Sequence, residues 1–146
     1  MNFDLSEEQK VVSDLASQLF TDLSPTERVT QVEKGNGFDA QLWRALGEAG
    51  LLSLCLPESV DGSGMGMVGL ALMCESQGRN VAPVPLASAV VAAMTVAEYL
   101  SAVPAARAVL HEMAAGRGVL TAAIAEVGVN DPLNPTYKLS NVETRP

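Results

Sequence analysis

Six residues offer the first chemical possibility. Gly64-Met65-Gly66-Met67-Val68-Gly69 has the spacing Gly-x-Gly-x-x-Gly, in which glycines let a turn approach a pyrophosphate at a helix N-terminus. That chemistry needs a strand directly before the first glycine and an acid about 20 residues beyond it. Pro57 to Ser63 intervenes instead, and residues 80 to 97 contain no acid. The run therefore reads as a turn that lets the next helix pack closely. The single histidine, His111, sits beside Glu112. One imidazole and one acid make neither a zinc site nor a catalytic triad, so no metal ligands and no catalytic residues are expected. Glu75 lies in an apolar helical stretch, where burial would raise its proton affinity. Arg79 follows four residues later, the favourable order for a helical ion pair, and that pair is the expectation. Cys55 and Cys74 lack any Cys-x-x-Cys spacing and have apolar neighbours. They read as reduced, buried thiols of a cytoplasmic protein.

The elements that must carry these residues are mostly helices. The chain has 146 residues, 48% hydrophobic and 18% charged, enough for one domain with its own core. Aromatic residues are 4%, so Ala, Val, Leu and Met must fill most of that core. A net charge of −8 opposes nucleic-acid binding. The first residues carry no basic segment of a secretory signal. No membrane span is expected either. Asn80 to Ala97 carries no charge but holds Pro83 and Pro85, and the helix-competent part, about Leu86 to Leu100, would be ~22 Å long against the ~30 Å of a bilayer core.

Ser6-Glu7-Glu8-Gln9 is a capping box, and Val12, Leu15, Ala16 and Leu19 continue it as a helix to about Asp22. Ser24 is expected to cap a short second helix, with Pro25 in its first position and Glu27 completing the box. Asp39 caps a third, with Leu42, Trp43, Leu46 and Ala49 on its apolar face and Gly50 ending it. Leu51 to Leu56 is an apolar run, extended or turned, stopped by Pro57. A fourth helix is expected over 67–79 with Met67, Leu70, Ala71 and Cys74 as its stripe. Val81 to Pro85 is a proline-interrupted connector. The fifth helix, about 86–100, is apolar nearly all round, as at a bundle centre. The sixth, about 104–115, carries Ala106, Val109, Leu110 and Met113 and closes at Gly116-Arg117-Gly118. Val119 to Ala125 reads as a strand, and Tyr137 to Val142 as the start of another. The fold class is therefore mainly α: a bundle of about six helices over 1–118, then a short incomplete β extension over 119–146.

Five stretches in register resemble the acyl-CoA dehydrogenase family. They are Phe3-x-Leu5-Ser6-Glu7-Glu8-Gln9, Trp43-x-x-Leu46 through Leu52, Leu56-Pro57-Glu58 with Gly62-Ser63-Gly64, Glu75 to Arg79, and Thr121 to Glu126. The resemblance implies the N-terminal helical domain of that family, followed by the start of its middle β domain. In such enzymes FAD lies between the middle and C-terminal domains, and a C-terminal glutamate removes the acyl α-proton as hydride leaves the β-carbon. Neither Glu75 nor Glu126 matches that base.

What the resemblance assigns here is a wall for the acyl chain of an acyl-CoA substrate, at Pro85, Leu86, Ala89 and Val90. Plain core packing would explain the same residues equally well. Ile124, Ala125 and Glu126 match the strand that touches the flavin. Ala125 stands where the family usually has a hydroxyl residue, so only main-chain contacts would survive there. Val127 replaces a usual proline, and Asp61 replaces one glycine of the loop.

Two functions compete. One is part of a flavin-dependent acyl-CoA dehydrogenase, inactive alone. The other is a non-catalytic helical module that binds a partner chain. The C-terminal residues stop within the expected β domain, which favours the first. Uncovered apolar helices predict a homo- or hetero-oligomer.

Overall fold

The computed structural model describes residues 4–121. It has six α-helices: α1 Glu7–Leu23, α2 Thr26–Lys34, α3 Ala40–Glu48, α4 Gly66–Arg79, α5 Leu86–Leu100 and α6 Pro104–Ala114. A 3-10 turn, Glu58–Val60, lies between α3 and α4. No strand occurs among the described residues. The mainly α bundle expected from the sequence is what forms. Val119 to Thr121 carry no regular structure. The rest of the expected β extension lies outside the described residues.

The capping box works as the sequence predicts. Ser6 Oγ accepts from the Gln9 N–H at 3.2 Å, and Gln9 Oε1 accepts from the Ser6 N–H at 2.9 Å. Val12, Ala16 and Phe20 then recur every four residues and form the buried face of α1. That face packs chiefly on α4, with a smaller contact to α3. α5 packs against both α4 and α6. Trp43, Phe20, Leu46, Met73, Leu86 and Met113 are fully buried where these helices meet.

Several expectations need correction. Ser24 does not cap α2, whose N-cap is Pro25 with no side-chain bond. The Ser24 N–H instead closes α1 onto the Phe20 carbonyl at 3.0 Å, and its hydroxyl is turned inward without a partner. The α4 stripe is also rotated. Gly69, Leu70, Met73 and Ser76 are buried, whereas Met67 and Ala71 are exposed. Gly69 sets that rotation: a Cβ there would stand 2.9 Å from Met65 Cβ and 3.3 Å from Leu54 Cδ2. The glycine lets α4 lie directly on the buried turn Leu51 to Leu56. α5 is not enclosed on all sides. It buries Leu86, Ala89, Val90, Ala92, Ala93 and Ala97, and leaves Ala87, Val91 and Thr95 on the surface. On α6, Leu110 and Met113 are buried but Val109 is exposed.

The end of α6 is locked onto α3. Trp43 Nε1 donates to the Gly118 carbonyl at 2.9 Å. A Cβ on Gly47 would come within 2.4 Å of the Gly116 nitrogen, and one on Gly116 within 2.8 Å of the Trp43 carbonyl oxygen. Main chain therefore touches main chain, which has no flexible end to yield. Gly47→Ala is expected to lower the unfolding free energy by about 3 kcal/mol in urea denaturation, where most exposed substitutions change it by under ~0.5 kcal/mol.

Candidate functional site

The connector between α4 and α5 is irregular backbone pinned from several sides. α4 ends in a paired closure: the Val81 N–H reaches the Gly78 carbonyl at 3.2 Å and the Ala82 N–H reaches the Gln77 carbonyl at 3.1 Å. This motif places its turning residue in the left-handed region, normally a glycine. α3 and α6 end the same way with Gly50 and Gly116 at φ 74° and 70°. α4 uses Val81, at φ 48°.

Beyond Val81 the chain can do little to hold itself, because Pro83 and Pro85 have no N–H to give; the Val84 N–H reaches back to the Ala82 carbonyl at 2.9 Å. Donors from outside the connector bind its carbonyls as well. Gln77 Nε2 donates to Ala82 O at 3.1 Å and Val84 O at 2.6 Å. The Asp39 N–H donates to Pro83 O at 3.0 Å.

Asp39 is itself a node. Its carboxylate is 1% exposed. It accepts Nε and Nη2 of Arg28, each at 2.8 Å, and the N–H groups of Gln41 and Leu42, each at 3.1 Å. The Arg28 hydrogen bonds hold this carboxyl below its ordinary pKa; burial opposes them, and the two backbone donors and the Arg28 charge assist. The predicted α3 cap is present, and it also ties α2 and the connector to α3.

Two open hollows flank the connector, and Gly37, Ala82 and Pro83 line both. One, about 490 Å³, is walled by Phe38, Pro83, Val84, Pro85 and Val119. The other, about 540 Å³, is lined by Val29, Glu33, Cys74, Gln77 and Val81 among others. A smaller apolar hollow of about 210 Å³ lies beside Val109, Met113, Val119 and Leu120.

Pro85 is thus on a hollow, whereas Leu86, Ala89 and Val90 are wholly buried in the core of this chain. Ile124, Ala125 and Glu126 lie outside the described residues. Spacing along the chain singled out neither Phe38 nor Arg28, and Gln77 only as one position of the Glu75 to Arg79 stretch. Only the pairing of segments distant along the chain brings them to the connector.

The remaining chemical candidates resolve simply. Glu75 and Arg79 form the expected pair at 2.6 Å, both exposed. His111 is exposed, 3.5 Å from Asp61. No group of three metal-ligating side chains occurs among the described residues. Gly66 opens α4, but a 3-10 turn rather than a strand precedes the glycine run. Burial pushes the Cys55 thiol up to about 11, with Cys74 adding to the shift. Cys74 is only partly buried, against expectation, because it borders the larger hollow. Burial raises its pKa too, so both stay thiols near neutral pH. No described helix is long and apolar enough to cross a membrane.

Comparison with known proteins adds the family. Residues 6–117 match the acyl-CoA dehydrogenase N-terminal domain. The chain belongs to that family. It is 32% identical over 101 residues to acyl-CoA dehydrogenase FadE27 of Mycobacterium tuberculosis, covering 68% of this chain and 27% of the relative. Among solved structures, the Tcur3481-Tcur3483 steroid ACAD variant superposes with a TM-score of 0.76 at 41% identity, covering 84% of this chain and 34% of that one. The ChsE4-ChsE5 complex of M. tuberculosis gives a TM-score of 0.75 at 27% identity, covering 88% of this chain and 36% of that one. The chain therefore spans about a quarter to a third of its relatives. The resemblance seen in the sequence motifs is confirmed at the level of family and fold.

The Asp39 node generates a pH test. Its pKa is depressed in the folded chain, so its contribution is complete above the ordinary value of 3.8 and is lost as pH falls through the lower folded value. Asp39→Asn should therefore melt well below the unaltered chain at pH 7, and the gap in Tm should close below about pH 4. Asp39→Ala should cost roughly 3 kcal/mol near neutrality.

Proposed function

We propose that this chain supplies the helical part of a flavin-dependent acyl-CoA dehydrogenase, walls its acyl chain, and does not catalyse α,β-dehydrogenation alone. The observation that carries the proposal is the apolar hollow on the pinned, proline-containing connector, within a domain matched to the family over 6–117. An apolar wall suits an alkyl or ring substituent and keeps water from a carbanion forming beside it. Pro85 meets the hollow directly. Leu86, Ala89 and Val90 support the wall from the core behind it.

The described residues do not fit FAD. The glycine run follows a 3-10 turn, and the connector hollows offer chiefly apolar side chains. FAD would meet the main chain of Ile124, Ala125 and Glu126, in the start of the β domain over 119–146. The bond from Trp43 to Gly118 anchors the end of the helical domain over 1–118, from which that segment departs.

The acyl-CoA would then be shared with domains this chain does not itself supply, in a homo- or hetero-oligomer in the cytoplasm. A relative solved as a complex of two named chains supports association. So does uncovered apolar surface at Val91, Tyr99, Leu100 and Val103. That surface equally favours the second reading, a helical module that only binds a partner chain.

Two measurements decide between them. The purified chain, mixed with FAD and desalted, should retain no flavin band in the visible spectrum; stoichiometric retention refutes the assignment of the flavin site elsewhere. Palmitoyl-CoA should change the emission of Trp43, the single tryptophan, whose ring lies 6.3 Å from that of Phe38 in the hollow wall. Phe38→Ala should weaken that response several-fold. An unresponsive Trp43 would leave the partner-binding module as the better reading.

A further inference from the structure

We infer that Gln77 is a positioning residue that holds the connector and thereby sets which acyl chains the wall admits, an inference that rests on the acyl-wall reading above. Gln77 grips the connector at three points. Its main-chain carbonyl takes the Ala82 N–H at 3.1 Å, and its side-chain amide gives both hydrogens, to Ala82 O at 3.1 Å and Val84 O at 2.6 Å. Among the described residues no other side chain donates to the carbonyls of Ala82 and Val84; the Val84 N–H shares the first of them at 2.9 Å, and the second has Gln77 as its donor. Asparagine would be one methylene short. Glutamate would offer no donor when ionised.

The strained residue inside this grip points the same way. Val81 is β-branched, 71% exposed, and held at φ 48°. Such a backbone persists only where the surroundings over-determine it. The surroundings here are the two ends of Gln77, which bind the chain immediately beyond Val81.

The location gives the grip a consequence. Gln77 lines the hollow of about 540 Å³, while Pro83, Val84 and Pro85 line the one of about 490 Å³. The connector is the partition between them. Releasing it enlarges one hollow at the other's expense, so Gln77 controls the width available to an acyl group without touching it.

The test uses the full chain and Gln77→Met, which keeps the length and removes both donors. Amide hydrogen exchange at Ala82, Val84 and Asp39 should accelerate about tenfold, while the amides of α1 keep their protection. The ratio of palmitoyl-CoA to butyryl-CoA affinity, followed by Trp43 emission, should shift about tenfold. Unchanged exchange at those three amides overturns the inference. So does acceleration spread evenly along the chain, which marks a purely structural role, or local acceleration with an unchanged affinity ratio.

If Gln77→Met folds poorly, Val81→Gly is added, because glycine accepts the left-handed turn without strain. The double variant should regain its Tm and keep the shifted ratio; return of the original ratio overturns the inference. A Trp43 emission blind to both acyl-CoAs in the unaltered chain refutes the wall reading and the selectivity drawn from it. The exchange measurement still decides on its own whether Gln77 holds the connector.

Discussion

A single buried carboxylate organises one end of this bundle. Asp39 accepts a bidentate Arg28, caps α3 through two main-chain donors, and lends its own N–H to Pro83. Each contact alone is ordinary. Together they fix three pieces of chain that share no regular pairing: α2, the start of α3, and the connector into α5. A carboxylate removed from water demands such complete satisfaction, because an unmatched buried charge is costlier than the ion pair is stabilising. With the carboxylate so fixed, the Asp39 N–H is held where it meets the Pro83 carbonyl, one of the bonds that anchor the connector.

The junction of α3 with the end of α6 is governed by contact between main chains. Gly47 and Gly116 let α3 and the end of α6 approach until no Cβ fits between them, and Trp43 bonds the departing chain at Gly118. The direction in which the polypeptide leaves the helical domain is thereby set by rigid parts. This matters for a domain that spans about a third of its solved relatives. Val119, just beyond this lock, lines both the connector hollow and the small hollow beside α6.

Much of the architecture was readable from local signals. The capping box at Ser6, the cap at Asp39, the glycine stops at Gly50 and Gly116, and the bounds of α5 all rest on chemistry within a few residues. The errors have a common cause. Ser24 looks like a cap because serine beside proline usually is one, yet α1 runs to its door and turns the hydroxyl inward. The α4 stripe was placed by periodicity, but Gly69 rotates the helix toward a turn that periodicity does not see. Glu75 and Arg79 were paired correctly because four residues on a helix bring them together whatever surrounds them.

The sequence by itself therefore determined the helices, most of their ends, the acidic surface and, through five motifs in order, the family. Those properties depend on spacing along the chain. The tertiary structure alone decided which faces are buried, which thiol borders a hollow, and that Arg28, Asp39 and Gln77 converge on one proline-containing connector. Arg28 and Asp39 stand 11 residues apart, and Gln77 lies in another helix. Their meeting is a product of packing, because only the folded core brings donors to carbonyls that the prolines beside them cannot serve.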